Sequence, residues 1–241
     1  MDSFQQSFRK GVKSGLVIAL GYIPIAIAFG LLAKSSGVPW WTACFMSFAV
    51  FAGASQFVGA GMLAAGAAGW EIVMTTFVLN VRHFLMSTSL SQRLEKSISR
   101  KMLSFISFGV TDETFSVASL RQDLPLKAGF VLGLNLVAYA AWNGGTWLGL
   151  AAGSLLPEAV QSSMGISLYA MFIGLLIPAL TSSKPAVVVT LISVAAAAAL
   201  HWLPAFAALS GGWKVMLSAL VAAAAGAYYF PEKEREQHER T

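Results

Sequence analysis

Four short clusters in this sequence hold residues able to do chemistry where the surrounding residues are almost all apolar. Thr111-Asp112-Glu113-Thr114 sets two adjacent carboxylates beside hydroxyls, and Asn80-Val81-Arg82-His83 puts an amide, a guanidinium and an imidazole within four positions. Ser55-Gln56 lies among small residues, and Asn143 follows Trp142 and precedes Gly144-Gly145. Carboxylates in an apolar setting can hold an ammonium or exchange a proton, which makes Asp112, Glu113 and neighbouring imidazoles such as His83 candidates for proton coupling. Backbone amides at a helix start near Ser55 and Gln56, or the charge of Arg82, can hold a carboxylate. With Asn80, Thr114 and Asn143 as further polar contacts, the set suits a zwitterion such as an amino acid. Arg82 has a competing reading as a side chain that snorkels to a surface, because Gln92 and Arg93 follow closely.

Three places interrupt the helical pattern next to these clusters. Gly21-Tyr22-Ile23-Pro24 combines backbone freedom with a missing donor, so a break is expected there, and Gly53 and Gly109 are expected to mark two more. After Gly109 a restarting helix would use Thr111 or Asp112 as its N-cap, with Glu113 in its first turn. The elements that must carry the clusters are eight apolar segments, at about 12–33, 39–66, 70–89, 103–120, 127–153, 165–181, 185–203 and 213–230. A turn is expected at Thr181-Ser182-Ser183-Lys184-Pro185, near Pro178.

Composition says what solvent those segments meet. Of 241 residues 56% are hydrophobic and 11% charged, and the mean hydropathy is +0.68, whereas soluble domains carry roughly 25% charged residues. No charge lies between Lys13 and Lys34 or between Lys34 and Glu71, and only Glu158, Lys184 and Lys214 occur from 128 to 231. A helix needs roughly 20 apolar residues to cross a bilayer. The composition therefore excludes a soluble enzyme and predicts an all-α polytopic integral membrane protein of about seven or eight transmembrane helices, some interrupted. The net charge of +5 comes from clusters flanking apolar spans (Arg9, Lys10 and Lys13; Arg93, Lys96, Arg100 and Lys101), which read as orientation signals and lipid contacts, with no nucleic-acid partner. Cys44 stands alone, no metal-ligand spacing occurs, and no Gly-rich phosphate loop is present, so neither a metal nor another cofactor is expected.

Residues 1–230 read as one transmembrane transport domain and 231–241 as a charged tail. An offset of 87 or 88 positions aligns Glu71 with Glu158 and Gly21 with Gly109, which raises an inverted three-helix repeat over 12–90 and 103–181 with extra helices at 185–230. Eight single crossings are the favoured topology, although they put the basic 91–101 loop outside. Re-entrant segments two and five would bring it inside.

Taken together, Phe51-Ala-Gly-Ala-Ser-Gln-Phe57, Asn80-Val-Arg-His83 and Thr111-Asp-Glu-Thr-Phe115, in this order and chain length, resemble the AzlC-type (azaleucine-resistance) family, over roughly 15–200. The resemblance implies the large subunit of a bacterial inner-membrane permease exporting valine, leucine, isoleucine and sometimes methionine, driven by the proton gradient. It also implies a small hydrophobic AzlD-type membrane partner. Phe51, Phe57 and Phe115 are expected to receive the branched side chain. Two other readings stay open: an intramembrane hydrolase using Ser55 and His83, and a membrane subunit that does not itself transport.

Overall fold

A computed structural model describes residues 3–121, 125–152, 183–209 and 211–230, with isolated positions between 155 and 181. Glu158, Ser182, Pro178, most of the expected segment 165–181 and the tail 231–241 lie outside the described residues. Nine α-helices and no strands occur among those described. They are α1 (Phe4–Ser35), α2 (Trp40–Phe45), α3 (Gly53–Ala64), α4 (Gly69–Arg93), α5 (Arg100–Phe108), α6 (Asp112–Ser119), α7 (Ala128–Ala152), α8 (Lys184–Trp202) and α9 (Gly211–Tyr229). The all-helical expectation holds.

The spine of the first unit is the pairing of α1 with α7, which run parallel. Glycines four residues apart make it: Gly11 and Gly15 on α1, Gly129 with Gly133 and Gly145 with Gly149 on α7. A Cβ on Gly11 would sit 2.0 Å from the Phe130 carbonyl oxygen, and one on Gly149 would sit 2.2 Å from that of Ile27. Only glycine lets the backbones approach this closely. At one end Phe4 meets Gly129. At the other Lys34 Nζ donates to the Leu150 carbonyl at 3.1 Å.

The break expected at Gly21, Tyr22 and Pro24 does not form. α1 is continuous through Pro24, with α7 packed against it on both sides of the proline, at Gly11 and at Gly30, so the loss of one ladder hydrogen bond does not end the helix. The breaks at Gly53 and Gly109 do form. In segment two α2 widens into a π turn at Met46–Val50, Phe51 takes a left-handed conformation (φ 46°), and α3 restarts at Gly53. In segment four α5 stops at Phe108 and α6 restarts at Asp112.

Both breaks reverse the chain, which overturns the single-crossing reading for segments two and four. The first limb descends along α7 from the Lys34 end, with Ser47 bonded to Thr146 and the Phe48 carbonyl to Tyr139. The second limb climbs back until Ala60 packs with Phe29, Ala33, Val38 and Ala43. α5 and α6 form the mirror arrangement from the Phe4 end. Asn135 Nδ2 donates to the Ile106 carbonyl, and Arg93 at the end of α4 holds the carbonyls of Ser119 and Arg121 at the end of α6. Backbone bonds between Leu126 and both Arg93 and Glu95 fix the 91–101 loop at this same end. α4 therefore runs against α1 and α7. Segment five, offered as re-entrant in the alternative topology, is the continuous α7.

A hairpin followed by a 25-residue helix thus occurs twice in opposite senses, displaced by 59 positions: Gly53 to Asp112, Gly69 to Ala128 and Arg93 to Ala152. The offset of 87 or 88 instead sets continuous α1 against broken α5 and α6, so the breaks do not follow it. Among the described residues, two helices are long and apolar enough to cross a membrane, Phe4–Ser35 and Lys184–Trp202. Among the other described segments, α4 and α7 carry polar residues at mid-length, α9 carries Lys214 in its first turn, and segments two and four are divided.

The second unit holds an antiparallel pair. Ser183 caps α8 and Pro185 occupies its first turn, within the 181–185 stretch where a turn was expected, and Gly226 of α9 lies against Val189 of α8.

Candidate functional site

The two hairpin tips lie on one face of α7. Gly53 sits against the Trp142 ring, where a Cβ would come within 2.7 Å, and Gly109 sits against Asn135, where it would come within 2.6 Å. Seven residues separate these two positions, about two helical turns. Phe51 joins the tips, its ring 5.0 Å from Tyr139 and 6.4 Å from Phe108. A bulky residue rarely adopts a left-handed backbone. Burial of the ring against Tyr139 holds it there, and the Tyr139 hydroxyl donates at 2.8 Å to the Phe48 carbonyl in the π turn.

The charged cluster gathers where these tips meet α1 and α4. Arg82 Nη1 lies 2.7 Å from Asp112 Oδ2, with the two side chains 34% and 28% exposed. Arg82, midway along α4, is therefore paired with the tip of the second hairpin. The neighbouring carboxylate takes a different partner: the Tyr22 hydroxyl donates to Glu113 and shares a 2.8 Å bond with Thr111 Oγ1. Tyr22 is buried on α1 and edges the Trp142 ring at 5.4 Å. Its part in the site was missed in the sequence, where it counted only as a neighbour of Pro24.

The two helix starts are treated oppositely. Thr111 caps α6 as expected, accepting from the Thr114 amide while Thr114 Oγ1 accepts from the Thr111 amide at 2.8 Å. Thr114 is buried at 1% and its hydroxyl serves this box. α3 has no side-chain cap, and the amides of Gly53, Ala54 and Ser55 have no hydrogen-bond partner among the described residues. Unmet amides at a helix start favour an anion.

Of the remaining predicted residues, Ser55 Oγ donates to Asn80 Oδ1 at 2.5 Å, tying the first hairpin to α4 two residues before Arg82. Gln56 is buried inside a polar lattice. Its Nε2 donates to Ser47 Oγ at 2.9 Å, its Oε1 accepts from Trp142 Nε1 at 3.0 Å, and Ser47 bonds Thr146 at 2.8 Å. Gln56 thus clamps α3 to α7. Asn143 is not brought to the charged groups, because its amide donates to the Tyr139 carbonyl of its own helix. His83 makes no bond to Ser55, whose proton is directed to Asn80, so the geometry of a Ser/His nucleophile is absent. Phe57 packs on Phe29 at 5.6 Å, apart from Phe51. The four-residue spacing of glycines on α1 and α7 is a signal in the sequence for this close packing.

Sequence comparison gives this architecture a family. The AzlC protein family matches residues 17–156, from within α1 to just past α7. The chain belongs to the AzlC family. It is 34% identical to the inner membrane protein YgaZ of Escherichia coli, over 71% of this chain and 72% of that one. A membrane protein of Archaeoglobus fulgidus is 36% identical over 74% and 79% of the two chains. The branched-chain amino acid transport protein AzlC of Bacillus subtilis is 26% identical over 61% of this chain and 58% of that one. No solved structure matches significantly. This AzlC-family chain is a helical membrane protein, and the family match covers every residue of the charged cluster.

Proposed function

We propose that this chain is the cargo-carrying subunit of a secondary transporter that moves branched-chain amino acids out of the cell across a bacterial inner membrane. The observation that carries the reading is that two opposed hairpins both reach the middle of α4, the first through Ser55 and Asn80 and the second through the Asp112–Arg82 ion pair. Limbs of eight to twelve residues rise about 12–18 Å each, roughly half the ~30 Å hydrocarbon layer, so each hairpin enters and returns on its own side. Irregular backbone at that depth is tolerated where it lines a cavity or is enclosed by protein. Arg9, Lys10, Lys13, Arg93, Lys96, Arg100, Lys101, Arg121 and Lys127 then share one end, which the positive-inside rule makes cytoplasmic.

In this reading the unmet amides of α3 and the Arg82 guanidinium receive the substrate carboxylate, while Asp112 exchanges Arg82 for the substrate ammonium. Glu113, held by Tyr22, is the proton-coupling carboxylate, and His83, next to Arg82 in the chain, is a second candidate for the proton. Valine, leucine, isoleucine and methionine are the expected cargo, and a small AzlD-type membrane subunit the expected partner. Counterflow of labelled leucine in proteoliposomes, with and without that partner, tests the reading. Flux that is absent in both, or present with the partner alone, would assign this chain a structural role instead.

A further inference from the structure

We propose that a groove between α4 and α5 is water-filled and is the route by which an amino-acid zwitterion passes between the basic end and the Arg82–Asp112 pair. This rests on the transport reading above. The groove has a volume of about 490 Å³, within the range of small-molecule sites. His83, Thr88 and Ser91 of α4 and Leu103 of α5 line it, and Ser87 Oγ reaches the Ser107 carbonyl of α5 at 3.4 Å on its wall. His83, Ser87 and Ser91 are four residues apart and so form one stripe on α4. From Ser91 to His83 that stripe rises about 12 Å, from near the basic loop to the residue next to Arg82.

Hydroxyls alone would not require water, since a helix can satisfy them itself. Thr88 donates to the Phe84 carbonyl at 2.8 Å and Ser91 to that of Thr88 at 2.7 Å. His83 decides the matter. A neutral imidazole carries one donor and one acceptor, and His83 has no hydrogen-bond partner among the described residues although its ring lines the groove. Leaving both nitrogens against hydrocarbon is costly, whereas water or a passing carboxylate and ammonium satisfies them. The basic residues at the mouth raise the local concentration of species bearing a carboxylate.

Single-cysteine variants test the route in full-length protein. Ser87→Cys, Ser91→Cys and Ser107→Cys are made in a Cys44→Ser background, Cys44 being the one native cysteine. Leu85→Cys, 62% exposed on α4 and not lining the groove, is the control. Each is treated in inside-out vesicles with a membrane-impermeant methanethiosulfonate. The three serine positions should react about tenfold faster than Leu85→Cys or better, and saturating L-leucine should slow Ser87→Cys by about threefold or more. Equal rates at groove and control positions, or a Ser87→Cys rate that ignores leucine, overturn the route. A parent that carries leucine while the groove stays unreactive overturns the route alone. A parent that carries none overturns the transport reading, and the cargo of the route with it.

Discussion

Gln56→Leu separates a clamp from a substrate ligand. The Gln56 side chain is fully buried, and its two amide atoms bond Ser47 and Trp142 at 2.9 and 3.0 Å. Leucine keeps most of the volume but strands the Trp142 N–H and removes one partner from Ser47, which keeps Thr146. An unmet buried polar group costs about 1–3 kcal/mol, so the variant should lose about 2–4 kcal/mol of stability. Trp142→Phe strands the Gln56 carbonyl and should lose about 1–3 kcal/mol by the same reasoning. The double variant has nothing further to strand, so it should fall short of the sum by about 0.6–1.7 kcal/mol, the range for interhelical bonds within a bilayer. Unfolding of the detergent-solubilised proteins on heating reads all three, and leucine counterflow well below the midpoints reads function. If Gln56→Leu keeps the parent midpoint and instead raises the KM for leucine, the amide serves the substrate and the clamp is refuted.

The ion pair predicts that Asp112→Asn stops leucine flux, and that the exchange R82D/D112R restores part of what each single change removes. Parent-level flux in Asp112→Asn would remove the carboxylate from the mechanism. Glu113→Gln should leave counterflow intact but abolish the response of net flux to an imposed pH gradient, and a response like the parent's would assign coupling elsewhere. Gly11→Leu should prevent recovery of folded protein, because a Cβ already meets the Phe130 carbonyl at 2.0 Å, whereas Gly21→Ala meets nothing within 4 Å. The latter should raise the unfolding midpoint, consistent with about 0.5–1 kcal/mol for glycine to alanine inside a helix. Equal recovery of Gly11→Leu and the parent would contradict the packing of α1 on α7.

Much of the site is legible from local chemistry. Thr111 before Asp-Glu-Thr can cap a helix whatever surrounds it, so the restart at α6 follows from a few adjacent residues. Gly109 and Gly53 mark the breaks for a tertiary reason: neither has a positive φ, and each is needed where the tip meets α7, at Asn135 and at Trp142. Pro24 shows the limit of such reasoning. Its missing donor is a local fact, but whether the helix bends depends on what lies beside it, and α7 lies beside it along its whole length. Gln56 shows the limit from the other side, since a buried amide must find partners, yet no local rule says whether they come from Trp142 and Ser47 or from a ligand.

The sequence by itself determined that the chain is helical and enters a membrane, because scarcity of charge and the need to satisfy backbone groups in lipid leave few alternatives. It also determined which polar residues that solvent does not explain. Only the tertiary structure decided how they pair: Arg82 with Asp112, Glu113 with Tyr22, Ser55 with Asn80. It likewise decided that segments two and four turn back, which gathers the basic residues at one end. Hydropathy measures the solvent a residue prefers and is blind to direction along the chain, so a returning hairpin and a through-going helix of equal length look the same until their neighbours are known.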